Sequence, residues 1–179
     1  MFDLVKLVYT IGYGGRRIEE FIDLIKSYDI ERIIDVRKWS SSRRNPVYSS
    51  YSLKRFLEEN GIDYMWIPEL GGYRRFGVDV DDIGIGSCFE SEGFRAYATY
   101  ITVKNSVKVF LNKLVEASCE KTSAILCCEK IPYRCHRKIL SDYLVVKNFT
   151  VIHIIDYGKV IKHVLSKCAV NDNGELKYI

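Results

Sequence analysis

The chain has 179 residues and a formal net charge of +4, from 27 Lys and Arg against 23 Asp and Glu. That length buries a sizeable core in one domain, and that charge excludes a polycation, so any basic partner surface is local. No run approaches the roughly eighteen apolar residues of a membrane span, which excludes a membrane partner. The start, Met1-Phe2-Asp3-Leu4-Val5-Lys6, lacks the pattern of a signal peptide, so the expected location is the cytoplasm. Six cysteines there are expected to be reduced, with Cys88, Cys119 and Cys168 as small buried hydrophobes.

From the N-terminus, the β-branched and aromatic run Leu7–Gly12 predicts a first strand, closed by the turn Gly12-Tyr13-Gly14-Gly15. Ile18, Phe21, Ile22 and Ile25 recur at helical spacing and predict a helix over Arg17–Tyr28. Arg32–Val36 reads as strand two, with Asp35 and Arg37 at its carboxyl end, and a polar loop follows from Lys38 to Ser50. Ser52 is the expected N-cap of a short helix carrying Leu53, Phe56 and Leu57, ended by Asn60-Gly61. Ile62–Ile67 is strand three, stopped by Pro68. After an irregular loop through Gly71, Gly72 and Asp79 to Gly86 come two helices, one marked by Phe94, Tyr97, Ala98 and Ile101, the next by Val107, Phe110, Leu111 and Leu114. Ala124–Cys128 is strand four, Arg134–Lys147 its helix and Phe149–Ile155 strand five. Val160, Ile161, Val164 and Leu165 predict a last helix, and Asn173-Gly174 turns into a tail strand, Glu175–Tyr178. The alternation predicts one α/β domain over residues 1–179, three-layered, with a mainly parallel sheet of about five strands flanked by helices and a short C-terminal β tail.

The stretch Ala124 to Arg137 concentrates the chemistry. Cys128 and Glu129 are expected at the carboxyl end of a buried strand, and Cys135, His136 and Arg137 in the first turn of the next helix. In open α/β sheets that rim receives ligands. A carboxylate, an imidazole, a thiol and the guanidiniums of Arg134 and Arg137 are a density of reactive groups that a strand and a helix alone do not require. Cys135 among Arg134, His136 and Arg137 is placed where thiolate is favoured, the plain alternative being a thiol packed under the turn. Cys128 reads as a packing residue. The paired close spacing of a structural zinc site is absent, so no metal and no cofactor are expected.

Val36–Leu57 contains no Asp or Glu, yet carries Arg37, Lys38, Arg43, Arg44, Lys54 and Arg55 interleaved with Trp39, Tyr48 and Tyr51. Cations contact phosphates and aromatic faces stack on bases, so the expected ligand is anionic, with nucleic acid or nucleotide first; a solvated basic loop is the alternative. Asp35 is a candidate to orient water or stabilise positive charge, or else it pairs with Arg37 or Arg43. The Gly12 turn with Asp35 downstream also fits part of a dinucleotide fingerprint, but its third glycine falls on Arg17, so a nicotinamide enzyme is a minor reading.

Thr10-Ile11-Gly12, Asp35-Val36-Arg37, Ser42-Arg43-Arg44-Asn45-Pro46, Glu69-Leu70-Gly71-Gly72, Phe94-Arg95 with Tyr97, and Cys128-Glu129 through Pro132 to Cys135-His136-Arg137 occur in that order. Together they resemble the family known as domain of unknown function 488. The resemblance covers almost the whole chain, with one departure at Tyr13-Gly14, where many members carry His-Ser. It implies a compact α/β domain with a shared site, and some members are associated with removal of modified bases from DNA.

The leading expectation is therefore a hydrolase that cleaves an N-glycosidic bond in nucleic acid or a nucleotide. Asp35, Glu129, Cys135 and His136 are its candidate catalytic residues. Arg37, Arg43, Arg44, Arg134 and Arg137 are the candidate phosphate contacts. Gly12, Tyr13, Trp39, Gly71, Gly72 and Cys128 are the candidate pocket. A thiol enzyme using Cys135, or a phosphate-binding module without chemistry, are the alternatives.

Overall fold

The computed structural model describes residues 6–41 and 43–179, so Ser42 of the motif above lies outside the described residues. Strands β1 (Lys6–Gly12), β2 (Arg32–Asp35), β3 (Asp63–Trp66), β4 (Ser123–Cys127) and β5 (Phe149–Asp156) pair in parallel, and β6 (Lys159–Lys162) returns antiparallel along β5. Their order across the sheet is β3-β2-β4-β1-β5-β6. β2 and β4 are buried along their whole length, which is why their inner residues, Ile33-Ile34 and Ala124-Ile125-Leu126, are consecutive apolar residues rather than alternating ones.

Successive residues of each strand serve opposite layers. Ile11, Ile33, Ala124 and Leu126 pack under helices α1 (Ile18–Lys26) and α2 (Ser50–Glu59), against Phe21, Leu24, Leu53 and Leu57. Val8, Ile34 and Ile125 pack on the other side with α3 (Glu92–Val103), α4 (Lys108–Glu120) and α5 (Arg137–Val146). β2 and β4 are neighbours, with Asp35 opposite Leu126. Yet β2 leads to α2 on one face and β4 to α5 on the other. That divergence opens a crevice between their carboxyl ends, the place where such sheets receive ligands.

The structure departs from the sequence reading at several points. The last expected helix is absent: Val160 and Ile161 lie in β6, and Val164 and Leu165 follow it in irregular chain. Six residues with adjacent apolar pairs satisfy either period, and the turn at Tyr157-Gly158 decides for a hairpin. The tail strand is half of a second hairpin, β7 (Ala169–Asp172) with β8 (Glu175–Tyr178). The N-cap of α2 is Ser49 rather than Ser52, because the one-turn helix Pro46–Tyr48 delivers the chain earlier. α5 begins at Arg137; Pro132–Arg134 forms a separate tight turn and Cys135 is extended, so Cys135 precedes the helix instead of lying in its first turn.

The expectation of reduced, solitary cysteines also fails at one pair. Cys88 and Cys168 are disulfide-bonded across a sequence separation of 80, tying the C-terminal hairpin to the loop before α3, and Cys119 is exposed. No spacing rule signals a partner that far along the chain. Among the described residues no helix is long and apolar enough to cross a membrane.

Candidate active site

The carboxyl ends of β2 and β4, the approach to α5 and two loops enclose a cavity of about 410 Å³. Arg37, Lys38 and Trp39 come from beyond β2; Gly72 and Tyr73 from the loop after β3; Phe94 and Tyr97 from α3; Cys127, Cys128, Glu129, Arg134, Cys135 and His136 from β4 and the turns after it.

Two glycines make this convergence possible. A Cβ on Gly12 would lie 1.8 Å from the carbonyl oxygen of Glu129, so only glycine lets the chain after β4 cross the end of β1. There the Gly14 N–H donates to the Cys128 carbonyl at 2.8 Å and the Tyr13 N–H to that of Cys127 at 3.2 Å. The turn after β1 is thus filled by protein backbone, which removes the physical basis of the dinucleotide reading. A Cβ on Gly72 would lie 2.9 Å from His136 Nδ1.

The floor is a cluster of sulfurs around one imidazole. His136 Nε2 lies 3.2 Å from the Val36 carbonyl, which only accepts, so Nε2 carries a proton. Nδ1 faces Cys135 Sγ at 3.6 Å and Cys127 Sγ at 3.9 Å. The Arg137 backbone N–H and Nε donate to Cys135 Sγ at 3.5 and 3.4 Å. Cys128, just beyond the strand, is exposed and accepts the Tyr13 hydroxyl at 3.2 Å. Tyr13 is itself fixed by stacking on Tyr48 at 4.0 Å and by the Arg37 guanidinium 5.3 Å over its ring.

The three thiols divide their acidity. The Cys127 thiol donates to its neighbours, so its own pKa is pushed well above the ordinary thiol value by Cys128, then by Cys135 and burial. Cys128 is drawn down to about 6 by the Cys127 thiol; burial opposes this, and the Tyr13 hydroxyl and Arg37 assist. Burial is the largest influence on Cys135 and opposes ionisation, but Cys127, His136 and Arg137 together hold its pKa well below the ordinary value. Tyr13, raised to about 12 chiefly by burial, remains a donor.

The two candidate carboxylates part company. Both stand at the carboxyl edge of the same sheet, but Asp35 is 0 % exposed and its oxygens are taken. Arg37 Nε donates to Oδ1 at 2.9 Å, Arg37 Nη2 to Oδ2 at 2.6 Å and the Tyr64 hydroxyl to Oδ2 at 2.7 Å. Asp35 therefore holds Arg37 and does not reach the cavity, contrary to its expected role at the reacting centre. Glu129 is exposed on the wall.

The cations divide in the same way. Arg37 lines the cavity; burial opposes its charge, but the paired Asp35 outweighs that and raises its pKa. Arg137, expected to bind phosphate, is 0 % exposed, donating to Thr10 Oγ1, to Cys135 and to the Glu129 carbonyl, so it is a buried brace. Arg134 is exposed on the wall with Lys38, while Arg43 and Arg44 are exposed on the loop beyond it. Gly71 packs on the Lys38 backbone and is not on the wall.

Sequence reasoning missed Lys38, Tyr73, Phe94, Tyr97 and Cys127 as wall residues; it had Cys128 on the pocket but as a packing thiol. The mouth carries Trp39, 60 % exposed, and Tyr73, 76 % exposed, with ring centroids 5.3 Å apart. Tyr73 has φ 61°, an uncommon backbone for a bulky residue, and such positions concentrate at functional sites. Its position directly after Gly71-Gly72 was the available signal. Among the described residues, Cys127 Sγ, Cys135 Sγ and His136 Nδ1 form a group with ligand atoms within 4.8 Å of one another.

A family model described as "Domain of unknown function DUF488" matches residues 17–144, and the chain belongs to that family. No curated protein matches the chain, and no solved structure does.

Proposed function

We propose that this family member is a thiol-dependent enzyme acting on nucleic acid or a nucleotide, with Cys128 as nucleophile and release of a base as its reaction. One observation carries the reading. Cys128 is the exposed sulfur on the wall of a cavity that also holds a free carboxylate, and the Tyr13 hydroxyl orients it. The Cys128 sulfur forms a bond to the sugar carbon while the carbon–nitrogen bond to the base breaks; Glu129 in its acid form gives the departing base its proton. Water, losing its proton to the Glu129 carboxylate, then displaces the sulfur and restores the thiolate. Trp39 and Tyr73 supply a stacking surface for the base, and Lys38 and Arg134 supply charge for phosphates. A cytoplasmic location belongs to the same proposal: a reducing compartment keeps Cys127, Cys128 and Cys135 as thiols, although it opposes the Cys88–Cys168 disulfide.

A second reading has its own observation, that Glu129 is the carboxylate on the wall while Asp35 is sealed. In it Glu129 alone stabilises an oxocarbenium-like sugar and no sulfur adduct forms. Base release from DNA carrying modified bases, and from modified nucleosides, distinguishes the two. The first expects Cys128→Ser to abolish turnover and a mass adduct on Cys128 in quenched wild-type reactions. Turnover that survives in Cys128→Ser and vanishes in Glu129→Gln selects the second. Binding without any release, weakened by salt and by Arg134→Ala, leaves only a phosphate-binding module. No binding at low salt ends the nucleic-acid reading.

A further inference from the structure

We infer that Cys127 Sγ, Cys135 Sγ and His136 Nδ1 form a three-ligand site for a thiophilic metal ion, zinc(II) by its fit, with the fourth coordination position turned to the cavity. The inference stands on the ligands themselves and does not depend on the reaction proposed above.

The donor set comes first. Two sulfurs and an imidazole, with no carboxylate among them, select zinc and other soft ions over magnesium or calcium. The spacing follows. Tetrahedral zinc, with bonds of about 2.3 Å to sulfur and about 2.0 Å to nitrogen, sets nitrogen and sulfur about 3.5 Å apart and two sulfurs about 3.8 Å apart. His136 Nδ1 stands 3.6 Å from Cys135 Sγ and 3.9 Å from Cys127 Sγ, and all three atoms lie within 4.8 Å. An ion enters this group with shifts of no more than about 1 Å.

Orientation is also prepared. A metal-binding histidine usually gives its other ring N–H to a carbonyl or carboxylate, and His136 Nε2 faces the Val36 carbonyl at 3.2 Å. This leaves Nδ1 with two sulfurs as its polar neighbours and no oxygen acceptor or donor. Gly72 keeps the space beside Nδ1 clear, since any Cβ there would sit 2.9 Å from it. Arg137 plays the outer role for Cys135, through two N–H groups at 3.4 and 3.5 Å. The ligands sit on rigid ground, Cys127 at the end of a buried strand and His136 at the N-cap of α5.

The fourth position is open because all three ligands line the cavity. Cys128 stands outside the group of three, and its sulfur accepts the Tyr13 hydroxyl. Three protein ligands with one open position is the pattern of catalytic rather than structural zinc, and an ion there acidifies a bound water or polarises a bound oxygen. The spacing rule applied to the sequence could not see this, because Cys127 and the Cys135-His136 pair meet only through the turn at Pro132–Arg134.

The test uses the full chain, reduced, chelator-treated and kept without oxygen, titrated with cobalt(II) and then zinc(II). The expected result is one ion per chain, a tetrahedral cobalt spectrum with thiolate charge-transfer bands, and bleaching by one equivalent of zinc. Cys127→Ser and Cys135→Ser should each weaken binding by more than the roughly hundredfold that an outer hydrogen-bond partner is worth. Cys128→Ser should leave binding and spectrum unchanged. Gly72→Ala keeps every ligand and crowds only Nδ1, so about a tenfold loss is expected even if a cysteine variant fails to fold. Folded protein that takes up no cobalt, or gives an octahedral spectrum without thiolate bands, overturns the site. Loss of binding in Cys128→Ser overturns the open fourth position. Neither result bears on whether Cys128 forms an adduct, so this inference and the proposed reaction fail separately.

Discussion

Arg137 stands between two polar clusters that are built on opposite principles. On one side Thr10, His153, His163, Asp142 and Tyr178 form a buried chain. Thr10 Oγ1 is 2.7 Å from His153 Nδ1, His153 Nε2 is 2.9 Å from His163 Nδ1, and His163 Nε2 is 2.9 Å from Asp142 Oδ1. The Tyr178 hydroxyl and the Ser166 N–H also donate to Asp142, each at 2.9 Å. The Asp142 carboxylate only accepts, so His163 donates to it from Nε2, and at the other end Arg137 donates to Thr10. Every donor meets an acceptor, and the chain pins α5, β5 and β8 together. On the other side Cys127, Cys135 and His136 meet one another through long, soft contacts and face a cavity. Matched buried polar groups specify structure; polar groups left facing space are available for chemistry.

The largest test of that division is Asp35, which the sequence places with the chemistry and the fold places with the matched groups. Asp35→Asn leaves the Arg37 guanidinium buried without its charge partner, so unfolding in urea should show a loss of about 3–5 kcal/mol. A stable variant with collapsed turnover would instead return Asp35 to the reacting centre. Next is Asp142→Ala, which orphans donors from His163, Tyr178 and Ser166 and should cost about 3 kcal/mol by the same measurement.

A pH series sharpens the comparison. Burial, then His163 and Arg137, depress the His153 pKa from 6.5 to about 3, with Cys135 opposing. Between those values the unfolded chain binds a proton that the folded chain refuses. Stability is therefore complete above pH 6.5 and falls as pH drops through the window toward 3, by at most about 1.4 kcal/mol per pH unit from this group. His153→Asn should flatten the slope. The smallest effect on stability belongs to the open side: Cys128→Ser should stay within about 0.5 kcal/mol of wild type. It should also remove the fastest site of iodoacetamide labelling, read by peptide mass, because Cys127 and Cys135 are buried and Cys128, exposed like Cys119, is drawn down to a pKa of about 6. This reverses the sequence expectation, which favoured Cys135 as the reactive thiol and Cys128 as packing.

The α/β class, the strands from β1 to β5 and the rim on which the site lies were legible in the order of residues. Periodicity, turn residues and capping are local, and they place Cys128, Glu129, Cys135 and His136 at one sheet edge without any knowledge of contacts. What each group does there follows from packing. It sealed Asp35 under Arg37 and Tyr64, turned Arg137 from a phosphate contact into a brace, and brought Cys127 to Cys135 and Cys88 to Cys168. It also carried Tyr73 and Phe94 to the wall from loops and helices read separately. The reason is physical: availability of a charge or a thiol is set by burial and by partners distant along the chain, and residue spacing encodes neither.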